Sequence, residues 1–364
     1  MNPIIETLRG LAAILVLIHH YSYAWPGQVA GAEWLHGFHN GVDLFFVITG
    51  YVFAPHVLRE VHDSVPAFAV RRVFRLYPLY IVSLLGFAIF IQSGRCDIHI
   101  NFLRHIFFIQ NFSGLAEAGY FSLVYWTLPV EVSYYLLVAV WMFIPFKGVV
   151  NWTSISIAGV FLGLLAYFWH AWGYAPKAES WVILQAQLPP LLIEFWLGVV
   201  AFRVTPFLRS HYKASCLIAF LGVALLTLLF ASYSEFSKNA LTPRPFGLFN
   251  FLSAVAYALV LAGFISMFPS TINAANHQHI FHRIGIFGGS LSYGIYLFHE
   301  LVLSLVQKFF ASPTSLLVLT ALGTTITTAF LFHKALENPC RTLGRYLADT
   351  MQKHVQIKPK DVGL

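Results

Sequence analysis

Ten stretches of roughly twenty mostly apolar residues decide what this chain can fold into. A helix rising about 1.5 Å per residue needs about 20 apolar residues to cross the hydrocarbon of a bilayer. Segments of that kind run from 4 to 22, 41 to 58, 73 to 92, 120 to 145, 152 to 171, 181 to 202, 215 to 231, 247 to 268, 287 to 308 and 313 to 332. Runs such as Leu217 to Phe230 are continuously apolar, whereas strands of a membrane barrel alternate apolar and polar residues. The expected fold is therefore an all-α polytopic membrane protein with about ten transmembrane helices in a single bundle. Composition points the same way, because 10% charged residues would leave a soluble globule of this size short of charged surface. The formal charge of +7 is spread thinly between apolar runs, not gathered into the patch that phosphate backbones require. No nucleic-acid partner is expected. Cys96, Cys216 and Cys340 are odd in number and far apart, so they provide neither a metal-ligand spacing nor a disulfide framework.

Orientation follows from the basic residues, which accumulate on the cytoplasmic side. With ten spans and the N-terminus inside, only Arg95, Arg104, Lys177, Lys238, Arg244 and Lys308 lie outside; the other sixteen of the 22 Lys and Arg are cytoplasmic. The segment from Ile98 to Gln110 is apolar but short and carries His99, Arg104 and His105. As an eleventh span it would invert the rest of the chain and lose the asymmetry, so both termini are expected in the cytoplasm. The first stretch reads as a retained helix, since it lacks a basic leader and a small-residue cleavage site. Residues 1–340 are expected to form the membrane domain and 341–364 a basic cytoplasmic tail.

Ionisable side chains inside hydrocarbon are costly and each one is a functional hypothesis. The set comprises Glu6, Arg9, His19, His20, Asp43, Glu131, Glu194, His299 and Glu300. Arg9 and His20 are eleven residues apart, about 20° past three full turns, so they share one face of the first helix about 16 Å apart along its axis. Arg9 then sits near the inner end and His20 near the outer end. Snorkelling of Arg9 to the inner headgroups accounts for it equally well. Asp43 opens the second helix at its outer end, and Glu131 follows Trp126 on a helix entered from outside. Both are expected near the depth of His20, where a carboxylate would hold a histidine poised as a general base. Helix capping by Asp43 and a structural ion pair for Glu131 are the plainer readings. Arg72 and Arg75, three residues apart, are neighbours on a helix face and could grip phosphate oxygens, although a positive-inside signal explains them as well. The histidine run from Asn276 to His282 lacks a carboxylate or thiolate partner, and no metal site is expected. Trp25, Trp34 and Phe112 in the outer loops suit either sugar stacking or an interfacial belt.

These residues together resemble the acyltransferase-3 family of integral membrane enzymes. The resemblance rests on Glu6-Thr7-Leu8-Arg9-Gly10-Leu11-Ala12 with its spacing to His20, GVDLFFVITGY at 41 to 51, RRVFRLYP at 71 to 78, YWTLPVEVSYYL at 125 to 136, EFWLG at 194 to 198, LSYGIYLFH at 291 to 299, and ENP at 337 to 339. It implies an O-acyltransferase that moves an acyl group, commonly acetyl, from cytoplasmic acyl-CoA to a hydroxyl of a carbohydrate or other acceptor. Acyl-CoA is then a co-substrate and no resident cofactor is implied. The location implied is the bacterial inner membrane, among its lipids. Carried over by position, His20 becomes the catalytic residue, Arg9 its motif partner, Arg72 and Arg75 the donor-binding pair, and Glu131 the acid following Trp126. Asp43 joins His20 and Glu131 as a catalytic candidate, and Trp126 and His299 are cavity candidates. Glu300, where family members often carry a small or proline-containing stretch, leaves the role of His299 open. The competing class is a proton-coupled transporter using the buried His, Asp and Glu as a relay; such carriers often show inverted repeats, and this sequence shows none.

Overall fold

The computed structural model describes residues 2–24, 33–61, 63–113, 115–144, 150–173, 187–234, 247–268, 280–310 and 314–357. Among them the helices are α1 (Pro3–Ala24), α2 (Gly41–Val57), α3 (Val65–Phe90), α4 (Ile98–Ile106), α5 (Leu115–Ala118), α6 (Thr127–Phe143), α7 (Trp152–Gly173), α8 (Leu188–Arg209), α9 (Tyr212–Ala231), α10 (Leu248–Met267), α11 (Ile280–Phe309), α12 (Ser315–Phe332) and α13 (Asn338–Ile357). Each of the ten expected segments overlaps one long helix. Eight helical stretches among the described residues are long and apolar enough to cross a membrane, while α2 has 17 residues and the apolar part of α7 is Trp152–Phe168. The protein is an all-α polytopic membrane protein. Phe143, Phe161, Phe220 and Leu316 are exposed on its outside, as lipid-facing side chains must be where hydrocarbon replaces water.

The ends of the helices depart from the apolar windows for local reasons. α3 starts at Val65, eight residues before its window. Ser64 accepts a hydrogen bond from the Ala67 amide at 3.4 Å and Pro66 occupies the first turn, which together start a helix well. The basic run of Arg71, Arg72 and Arg75 is therefore helical and part of the bundle. α6 starts later than its window, because Leu123–Trp126 form a 3₁₀ turn before it. α4 is only nine residues long, about 14 Å, and cannot span. With the 3₁₀ turns it builds a cap that buries Asn101, His105, Gln110 and Asn111. Tyr77 and Tyr80 anchor this cap by donating to the Ile106 and His105 carbonyls at 3.0 and 3.1 Å.

Two close crossings set the bundle's geometry. On α11, a Cβ added at Gly289 would stand 2.4 Å from the Glu6 carbonyl of α1, and one at Gly10 would stand 2.9 Å from the Gly288 carbonyl carbon. Between α2 and α8, a Cβ at Gly50 would meet the Phe195 carbonyl at 1.8 Å, and one at Gly198 the Val47 carbonyl at 2.1 Å. Without a hydrophobic drive between helices in lipid, such small-residue contacts are what allow backbones to pack closely. The α1–α11 pair is parallel: Gly10 meets Gly288 and Gly289, and His20 meets His299, each histidine about ten residues above the crossing. That arithmetic is why two residues 279 positions apart in sequence come together.

Candidate active site

At the outer end of the α1–α11 pair, His20 Nδ1 lies 3.8 Å from Glu300 Oε1. The 3₁₀ turn before α6 fixes that carboxylate, since Glu300 Oε2 accepts from the Ser122 hydroxyl and, at 3.4 Å, from the Val124 amide. Nδ1 faces a carboxylate across a gap longer than a hydrogen bond, and closing that gap would fix the tautomer and leave Nε2 for proton transfer. The His299 ring sits 5.1 Å from that of His20, centroid to centroid. His299 is fully buried; its Nδ1 donates to the Ile295 carbonyl at 3.0 Å, and its Nε2 has no hydrogen-bond partner. Towards the outer face, His19 Nδ1 donates to the His36 carbonyl at 2.7 Å and Tyr23 stacks on His36 with centroids 4.1 Å apart.

Below this centre a cavity of about 60 Å³ is lined by Arg9, Arg75, Glu131, Thr127, Tyr293 and Tyr296 together with Phe45, Phe46 and Thr49. Arg9 Nη1 donates to Glu6 Oε1 at 2.9 Å. Glu131 accepts from the Tyr135 hydroxyl. Arg75 has no carboxylate within ion-pair distance among the described residues, although Glu131, Glu337 and Glu6 all lie within its electrostatic surroundings. Tyr296 separates this cavity from the histidines: its hydroxyl donates to the Val124 carbonyl at 2.8 Å and meets Thr127 Oγ1 at 2.6 Å, while its ring lies 6.1 Å from His299. Arg9 and His20 thus lie on one face of α1, Arg9 in the cavity and His20 beyond its ceiling.

Several expected partnerships are arranged differently. Asp43 is buried, but it accepts from Asn250 Nδ2 at 3.0 and 3.3 Å and meets the Glu194 carboxyl; it neither caps α2 nor reaches His20. Glu131 joins the arginines rather than His20, because the cap turn precedes α6 and sets its first turns deeper in the bundle. Depth alone predicts both contacts, and depth does not say which face of a helix a side chain occupies. Arg72 does not fork with Arg75. Its guanidinium lies over Phe53, Phe68 and Tyr135 at 4.8, 5.6 and 5.8 Å, with Nε buried and unpartnered. It backs the tyrosine that holds Glu131. Trp126 packs edge-on against Phe46 with centroids 6.4 Å apart. Trp25, most of the 276 to 282 histidine run and residues 358–364 lie outside the described residues. Among the described residues no group of three His, Cys, Asp or Glu could hold a metal ion. The Glu300 carboxylate, next to the expected His299, faces His20, a partnership that the sequence does not reveal.

A helical membrane bundle with a partly buried histidine–carboxylate pair above an arginine-lined cavity defines a membrane-embedded site suited to proton transfer and anion binding. The chain belongs to the acyltransferase-3 family, whose acyltransferase-domain model matches residues 2–334. It is 26% identical over 372 residues to a protein of Staphylococcus aureus (strain COL) provisionally named an O-acetyltransferase, covering 94% of this chain and 58% of that relative. A protein of Komagataeibacter xylinus, provisionally named a membrane-bound transacylase, is 28% identical over 213 residues, covering 51% and 52% of the two chains. A protein of the Acidianus two-tailed virus, provisionally named an acetyltransferase, is 24% identical over 306 residues, 83% of each chain. The chain thus spans 58% of the length of the staphylococcal relatives. No solved structure matches it significantly.

Proposed function

We propose that the protein is a membrane O-acyltransferase that carries an acyl group, acetyl in the simplest case, from cytoplasmic acyl-CoA to a hydroxyl of a glycan-type acceptor. The observation that carries this reading is the alignment on α1 of Arg9, in a cavity shared with Arg75 and Glu131, with His20, paired to Glu300 beyond the cavity's ceiling. The separation of the two levels, about 16 Å along the helix, suits a long flexible carrier whose anionic end and reactive end are held apart. Arginines favour phosphate oxygens, and a histidine oriented by a carboxylate suits a general base. The membrane in this reading is the bacterial cytoplasmic membrane, with acyl-CoA on its inner side.

The step balances without a further reactant. The acceptor hydroxyl gives its proton to His20 Nε2 as its oxygen attacks the thioester carbonyl. Collapse of the tetrahedral oxyanion breaks the C–S bond, and the departing thiolate takes the proton from His20, giving ester and free CoA thiol. Glu300 stabilises the imidazolium formed between the two events. Tyr23, Trp34 and His36 lie where an acceptor would approach from outside, and Tyr23 and Trp34 are exposed.

The test is transfer of labelled acetyl from acetyl-CoA by the purified full-length protein to a panel of sugar hydroxyl acceptors. Acceptor-dependent label transfer or slow CoA release supports the enzyme. Neither, together with acceptor uptake into sealed vesicles, supports a carrier in its place.

A further inference from the structure

A helix that apolar windows do not detect packs against α3, the helix that carries Arg75. Beyond Phe332 the helical path of α12 widens into a π turn at His333–Glu337 and continues as α13. Such a turn inserts a residue and rotates the helix beyond it, a feature frequent at functional sites. Glu337 is only 3% exposed, its Oε2 paired with His333 Nδ1 at 2.8 Å and its Oε1 accepting from Arg341 Nη1 at 3.3 Å. α13 then runs along α3. A Cβ at Gly344 would stand 2.4 Å from Phe74 Cβ, and Gln352 Oε1 accepts from the Ser64 amide at 2.8 Å. This docking places Arg341, one quarter exposed, within the electrostatic surroundings of Arg75, Glu6 and Arg9.

Three guanidiniums are therefore within one another's electrostatic reach, Arg9 and Arg75 lining the cavity and Arg341 outside its lining. Arg9 is paired with Glu6 and Arg341 with Glu337, while Arg75 carries its charge into the cavity without an ion-pair partner among the described residues. Like charges brought together in a poorly solvated place repel, and a ligand with several phosphate groups relieves that repulsion. If a thioester reaches His20, a pantetheine arm of comparable extended length sets its diphosphate at the level of Arg9 and Arg75. The remaining phosphate then extends beyond that pair, and Arg341 is the further guanidinium within their electrostatic surroundings.

We propose that Arg341, held by Glu337 and carried by α13, recognises the 3′-phosphate of the CoA donor, while Arg75 and Arg9 face its diphosphate. This rests on the acyl-CoA reading and adds a donor-specificity residue to it. Residues 338–357 are then part of the donor site.

The experiment compares kcat/KM of the full-length protein for acetyl-CoA and acetyl-dephospho-CoA, which differ only in the 3′-phosphate. The wild type should prefer acetyl-CoA by about tenfold or more, the size of a charge-assisted hydrogen bond. Arg341→Gln should abolish that preference, and Arg341→Lys should restore part of it. A wild type indifferent to the 3′-phosphate overturns the proposal without any variant. So does an Arg341→Gln protein that keeps the preference, or one that loses both donors equally, as a purely structural or lipid contact would. In each of these cases the wild type still transfers acetyl and the acyl-CoA reading stands. A wild type that uses neither donor overturns both.

Discussion

His20 and Glu300 meet across two parallel helices, Nδ1 to Oε1 at 3.8 Å, ten and eleven residues above the glycine crossing of α1 and α11. Among the described residues Glu300 touches no other titratable partner so closely, and its second oxygen is held by Ser122 and Val124. If His20 is the base, Glu300→Gln should leave the protein folded and lower kcat by about ten- to a hundredfold with KM little changed, a part of the 10²- to 10⁴-fold a positioned base supplies. Ser122→Ala should act in the same direction and less. Steady-state kinetics with labelled acetyl-CoA would check both. Asp43→Asn serves as the comparison: its loss falls on thermal stability, because its partners are Asn250 and Glu194.

Arg75 faces the cavity and Arg72 stacks on aromatic rings behind it. Arg75→Ala should therefore weaken acetyl-CoA binding about tenfold or more, the loss of one charged hydrogen bond being about 1.5–3 kcal/mol. Arg72→Leu should retain much of the binding and instead lower stability. Equilibrium binding of labelled CoA separates the two. Equal losses in affinity would mean that both arginines contact the donor.

The glycine crossings fix the spacing of the centre. Gly289→Ala pushes a methyl to 2.4 Å from the Glu6 carbonyl, which has backbone and no flexible side-chain end to yield. The helices must separate, at a cost of about 1–3 kcal/mol typical of overpacking, and the His20–Glu300 distance grows with them. Activity should fall further than for Gly323→Ala on α12, where an added Cβ meets nothing within 4 Å. Thermal unfolding and turnover of the two variants, measured side by side, test this.

How much of the fold and the site is legible in the sequence varies by residue. The helical class and the shared face of Arg9 and His20 follow from apolar run length and the 100° step, both local properties. The partners of His20 and Asp43 do not, because they depend on which helices cross, and that is set by Gly10, Gly50, Gly198 and Gly289 rather than by polar spacing. Glu131 is displaced by a 3₁₀ turn that no apolar window registers. α13 escapes the same windows because only one of its faces is apolar; it gains stability by docking on α3, not by crossing lipid.

His105 in the cap offers a test by pH. Burial pushes its imidazole down to about 4, while Nδ1 donates to the Asn101 carbonyl at 2.8 Å. Its folded pKa lies below the unfolded value near 6.5, so the native state binds fewer protons. The stability this neutral histidine contributes is present above pH 6.5 and lost as pH falls from there towards 4. The wild type should lose thermal midpoint over that window more steeply than His105→Gln. Parallel pH profiles for the two proteins would contradict the assignment.

In the proposed mechanism His20 performs the chemistry while the arginine cavity binds the donor. That division of labour is tested by pairing CoA binding with acetyl transfer in His20→Ala, purified at full length. Donor affinity should stay within about threefold of wild type, and turnover should fall by about 10²- to 10⁴-fold. Turnover close to wild type in a variant that binds the donor normally would show that His20 is not the base.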